Sequence, residues 1–149
     1  MNFKRMSIAV TCFSLAVALA TCRFACAQET PIKVLFLDGN SGHPLKNIHV
    51  IVRDGSRSAQ QLELRTDSNG MSATTVQLGA PFTAFAERSF IRTCEDGSLA
   101  SQHSFDAEQI VMIGISEKST CKTHTPPAQP GVLIRIIRRS TFLEALGEN

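Results

Sequence analysis

Tryptophan and tyrosine are absent from this chain of 149 residues, and nine phenylalanines are its whole aromatic complement. Sugar-gripping surfaces usually rely on exposed Trp or Tyr, so this absence weighs against a carbohydrate-binding face. The apolar run at residues 6–20 has 15 residues, fewer than the roughly 20 a membrane-spanning helix needs. There is no internal repeat, heptad pattern, Gly-rich phosphate loop or G-x-S-x-G nucleophile elbow. His43, His49, His103 and His124 are spaced by 6, 54 and 21 residues, which fits no zinc motif. The reading therefore assigns no catalytic residue, no metal and no cofactor.

What is there begins with an export signal. Lys4 and Arg5 precede the apolar run, and Ala25 and Ala27 stand at −3 and −1 to a cut before Gln28. That is the pattern a signal peptidase needs. Residues 1–27 are read as a signal peptide helix and residues 28–149 as one domain, secreted or periplasmic. An uncleaved membrane anchor is one competing reading. A lipid anchor at Cys22 is another, although Thr21 before it and Arg23 after it fit a lipobox poorly. Removing Lys4, Arg5 and Arg23 from the 15 basic residues leaves 12 against 13 acidic ones, a net charge of −1. No basic stripe remains to hold a phosphate backbone, which argues against nucleic acid as a partner.

Cys12, Cys22 and Cys26 belong to the leader, leaving Cys94 and Cys121. Two cysteines in an exported domain point to one disulfide. Two free thiols or half of a metal site are the competing readings, but no His or Cys lies at ligand spacing around either residue.

The rest of the chain alternates. Ile32, Val34 and Phe36 share one face of a strand at residues 32–37, as Ile48, Val50 and Val52 do at 47–53. Further strands are expected at 61–66 with Leu62 and Leu64 inward, at 71–78, at 82–87, at 90–94 and at 132–138. The apolar run 109–116 reads as a buried strand. Residues 119–131, with three prolines, read as an extended loop, and residues 142–146 as a short helical turn. Asp38 and Gly42 shape the first turn, and Pro44 sets the entry to the next strand. Asp54-Gly55-Ser56 is a second turn. Asp67-Ser68-Asn69-Gly70 reads as a tight hairpin, because Asn-Gly accepts positive φ. Seven or eight short strands with almost no helical period predict an all-β, single antiparallel sandwich of immunoglobulin or transthyretin type. A small barrel is the alternative architecture.

The layout Asp38-Gly39-Asn40-Ser41-Gly42-His43-Pro44-Leu45, then Asn47-Ile48-His49-Val50, then Thr66-Asp67-Ser68-Asn69-Gly70 resembles the carboxypeptidase regulatory-like domains of the transthyretin-like (prealbumin-like) superfamily. The resemblance covers residues 32–85. It implies a non-catalytic module attached to, or secreted beside, other proteins. Hydroxyisourate hydrolase, an enzyme of that superfamily, is not matched. Its strand histidine falls on Leu35, its arginine falls on Met71, and its C-terminal tyrosine has no counterpart.

Asp67 and Asn69 superficially resemble a calcium loop that lacks its terminal glutamate. Glu95-Asp96 beside Gly97 reads as an exposed turn. Arg135, Arg138 and Arg139 form the one local basic cluster, fit to bind a carboxylate or anionic polymer or, more simply, to protect a sheet edge. The functional expectation is an exported, non-enzymatic accessory or protein-interaction module whose partner is an extracytoplasmic protein or a glycan. Contact with a membrane is expected only through the leader or the lipid anchor. A carbohydrate-binding module is the alternative, which an exposed patch of Phe82, Phe85 or Phe90 would favour.

Overall fold

A computed structural model of the chain describes residues 29–55, 61–87 and 91–141. The expected leader with Cys12, Cys22 and Cys26, Ser56, Phe90 and the turn expected at 142–146 lie outside these residues. The strands are β1 (Glu29–Asp38), β2 (His49–Asp54), β3 (Gln61–Arg65), β4 (Met71–Gln77), β5 (Pro81–Ala86), β6 (Ile91–Thr93), β7 (Phe105–Asp106), β8 (Ile115–Ser116) and β9 (Val132–Arg139). One short helix, α1 (Ala107–Met112), precedes β8.

The strands form two sheets, one ordered β4-β1-β9-β6 with β8 also on β9, the other β3-β2-β5-β7. Alternation turns one side of each strand inward. Ile32, Val34 and Phe36 of β1 meet Val50 and Val52 of β2 and Phe82, Ala84 and Ala86 of β5 in a shared core. The molecule is thus an all-β sandwich. Leu64 packs against this core, but Leu62 is exposed on β3, contrary to expectation. β3 lies at a sheet margin and leaves Leu62 uncovered.

Three further expectations are corrected. The described residues hold nine strands rather than seven or eight, because β7 and β8 are two-residue strands that alternation does not reveal. The first sheet is mixed, not antiparallel: β9 runs parallel to both β1 and β8. A parallel neighbour needs a long crossover, and the intervening chain supplies it. Residues 109–116 are not one buried strand. Asp106 accepts the Glu108 N–H and caps α1, which buries Ala107 and Ile110 three residues apart. Gly114, at φ +77°, then turns the chain into β8. A short apolar run with helical spacing and a capping Asp is a helix signal that competes with strand.

The turn Asp67–Gly70 is not a hairpin either. β3 pairs with β2 and β4 pairs with β1, so this turn carries the chain from one sheet to the other. Its residues still act as turn formers. Asp67 accepts the N–H groups of Asn69 (2.8 Å) and Met71 (2.9 Å). Gly70 has φ +74°, and a Cβ there would lie 2.7 Å from Pro44. The buried Thr66 hydroxyl donates to the Leu45 carbonyl (2.6 Å) and accepts the Ile48 N–H (3.1 Å). The two crossings between sheets are thereby stitched together.

Both faces of β9 are buried. Leu133 and Ile137 look into the shared core, while Val132, Ile134 and Ile136 form a second cluster with Leu37 and Cys94. Cys121, bonded to Cys94, packs on that outer cluster. The disulfide spans 27 residues and fastens the irregular stretch before β9 onto the sheet. Gly39 lies beneath it: a Cβ there would be 2.1 Å from Cys94 Sγ, so this position needs glycine for space.

Candidate functional site

A buried polar cluster among the described residues grows from a break in a ladder. On its side away from β1, β9 pairs first with β8, at Leu133 and Ile134, and then with β6, from Ile137 to Arg139. Between them the strand partner changes, and the Ile136 N–H is taken by a side chain. Glu117, directly after β8, accepts it through Oε2 (3.1 Å). A buried backbone donor left unpaired would be costly, so the Glu117 carboxylate substitutes for a missing strand.

Glu117 is itself buried and needs a countercharge. Arg135 supplies it. Its side chain is 0% exposed and its Nε lies 2.9 Å from Glu117 Oε2. Its remaining nitrogens donate to the carbonyls of Ala84 (2.5 Å) and Ala100 (3.3 Å). The guanidinium lies 4.8 Å from the centre of the Phe105 ring, within cation–π range. Burial raises the Glu117 carboxyl above the ordinary glutamate value and lowers the Arg135 guanidinium, while each partner's charge opposes the shift in the other.

The second Glu117 oxygen, Oε1, is buried without a hydrogen-bond partner. His103 lies in front of it, with Nδ1 at 3.7 Å. The other ring nitrogen, Nε2, is 2.6 Å from Ser98 Oγ and 3.5 Å from Asp96 Oδ2. Ser98 donates its backbone N–H to Asp96 (2.9 Å), and Thr93 donates its hydroxyl (2.8 Å). Together with the Ser98 hydroxyl, these donors hold the Asp96 carboxyl well below the usual aspartate range. Glu95 completes the group. One carboxylate oxygen of Glu95, one ring nitrogen of His103 and one oxygen of Glu117 all lie within 4.8 Å of one another.

Ser98, His103 and Glu117 superficially resemble a hydrolytic triad, but His103 Nδ1 stands 3.7 Å from Glu117 Oε1, beyond hydrogen-bond reach, so the contact that would orient the imidazole as a base is not made.

The residues read from sequence separate from this cluster. Asp38 caps the turn after β1, accepting the N–H groups of Asn40 (3.0 Å) and Ser41 (2.8 Å). Gly42 has φ +71°, and Pro44 bridges to Leu37. Asp67 Oδ1 is engaged by two turn N–H groups, those of Asn69 and Met71. His43, His49 and His124 are exposed and lie apart from the cluster. Phe82 and Phe85 are buried, so they form no sugar-stacking surface, and Phe90 lies outside the described residues. The edge-protecting reading of Arg135 does not hold, because β9 is an interior strand with neighbours on both sides.

Arg138 and Arg139 instead border a slot of about 220 Å³ at one end of the sandwich. Leu45, Ile48, Ala86, Ile91 and Ile137 give it an apolar lining, and Asp38 stands opposite. The sequence reading missed Glu117 and the meeting of Glu95 with His103. The available signal was Arg135 itself. A charge on the same face as Leu133 and Ile137, within the apolar run of β9, requires a buried partner.

Comparison with family models, with curated proteins and with solved structures yields no match for this chain.

Proposed function

We propose that the chain is an exported, non-enzymatic sandwich of the transthyretin-like type, and that it works by binding an extracytoplasmic protein in the slot at the end of β9. The observation that carries this reading is the slot's composition. Five apolar side chains line it, and two arginines against one aspartate border it. Binding sites commonly combine an apolar lining with a few placed polar groups. The excess of guanidinium suits a partner that inserts an apolar side chain next to a carboxylate. The leader pattern, the single disulfide and the turn motif shared with carboxypeptidase regulatory-like domains support export and the family.

A photoreactive residue at position 48, used with envelope proteins of the native host, tests the reading. A discrete crosslinked partner that is lost with Arg139→Glu, on a chain with unchanged circular dichroism, is the expected result. Crosslinking that is indifferent to Arg139→Glu, saturable binding of a polysaccharide, or turnover of hydroxyisourate would each overturn it.

A further inference from the structure

We propose that Glu95, His103 and Glu117 form a binding site for one divalent transition-metal ion of the zinc class, held by a Glu95 carboxylate oxygen, His103 Nδ1 and Glu117 Oε1. The proposal stands independently of the partner slot.

Three observations converge on it. First, Glu117 Oε1 is a carboxylate oxygen, about 99% shielded at the side chain, that receives no hydrogen bond. Its other oxygen meets Arg135 Nε (2.9 Å) and the Ile136 N–H, which leaves Oε1 within the cluster with no donor of its own.

Second, His103 Nδ1 faces Glu117 Oε1 at 3.7 Å, too far for a hydrogen bond, while Nε2 is engaged 2.6 Å from Ser98 Oγ. With the proton on Nε2, Nδ1 presents a lone pair to Oε1. Two lone pairs facing each other repel unless a cation lies between them. With metal–ligand bonds of about 2.0–2.2 Å, two donors of a tetrahedral site sit about 3.4 Å apart, close to the spacing found. The Glu95 oxygen, within 4.8 Å of both, needs only a small movement of an exposed side chain to close the site. Three protein donors leave a fourth position to solvent.

Third, charge and support fit. Glu95, Asp96 and Glu117 carry three negative charges against one on Arg135, and a divalent ion balances the remainder. A metal-binding histidine normally donates its other N–H to an oxygen that fixes the ring, which Ser98 and Asp96 do here. An imidazole nitrogen with two carboxylate oxygens suits zinc-class ions better than magnesium or calcium, which favour all-oxygen shells.

The test is titration of the full chain with Zn²⁺ by calorimetry and with Co²⁺ by visible absorption, beside His103→Gln and Glu95→Gln. Glu95 is exposed, so its variant keeps the fold. The account expects one equivalent bound, a tetrahedral Co²⁺ spectrum, a melting temperature that rises with Zn²⁺, and affinity at least about tenfold weaker in each variant. Undiminished binding in both variants would place the metal outside this cluster and overturn the proposal. So would the absence of binding, or a nitrogen NMR spectrum at neutral pH showing both His103 ring nitrogens protonated with stoichiometric Zn²⁺ present.

Discussion

Residues 29–87 and residues 91–141 reach the same sandwich by different means. In the first stretch, alternating apolar residues build β1, β2 and β5, and the turns after β1 and β3 are closed by neighbours in sequence. Asp38 caps Asn40 and Ser41, and Asp67 caps Asn69 and Met71. In the second stretch the strands other than the eight-residue β9 have two or three residues, and distant polar partners hold the structure. Glu117 reaches Ile136, Arg135 reaches Ala84 and Ala100, and Cys94 reaches Cys121. Local rules suffice where strands are long enough to bury a face. Where they are only two or three residues long, side chains take over the work of the backbone ladder.

The sharpest way to break this contrast is at the buried pair. Glu117→Gln leaves the Arg135 charge buried without its counterion and should lower unfolding free energy by about 3–5 kcal/mol, measured by urea denaturation. Replacing Cys94 and Cys121 together by alanine releases the closed loop, with an expected loss of about 3 kcal/mol. Gly39→Ala drives a methyl group into Cys94 Sγ and should cost about 1–3 kcal/mol in the oxidised protein, and less once the disulfide is reduced. Within the first stretch's own sheet crossings the expected effect is smaller. Thr66→Val removes the hydroxyl that joins Leu45 to Ile48 and should cost about 1 kcal/mol.

The smallest effect is on pH dependence. Partial burial pushes the Asp38 carboxyl up, but the Ser41 N–H and hydroxyl and the Asn40 N–H outweigh it and hold the group below its ordinary value of 3.8. The N–H groups of Met71 and Asn69 do the same for Asp67. A carboxyl whose folded value is depressed contributes stability that is complete above its unfolded value. That contribution is lost as pH falls through the folded value. The share of stability owed to Asp38 and Asp67 should therefore be complete by about pH 5 and decline below it, and Asp67→Asn should flatten part of that decline.

Legibility follows the same division. Ile32, Val34 and Phe36, and likewise Val50 and Val52, declare their faces because a strand of five or more residues repeats its pattern enough to be read. Asp38, Gly42, Asp67 and Gly70 are readable as turn formers because their roles are local. Which strands a turn joins is not local, so Asp67–Gly70 passed for a hairpin although it crosses between sheets. The sequence 109–116 is ambiguous because six residues of helix and two of strand are each too short to show a period. Glu95, His103 and Glu117 are separated by 8 and 14 residues. No motif links them, and only the closure of β6 and β8 onto β9 brings them together. The pairing of Cys94 with Cys121 was legible because assigning Cys12, Cys22 and Cys26 to an expected leader left two candidates.

The most direct measurement is a double-mutant cycle on the pair that completes β9, with Glu117→Leu, Arg135→Met and their combination followed by urea denaturation. If the carboxylate and guanidinium neutralise each other inside the sheet, each single change costs several kcal/mol and the double change costs less than either alone. Single effects that simply add, with no rescue in the double variant, would contradict a buried pair at the junction of β8 and β6.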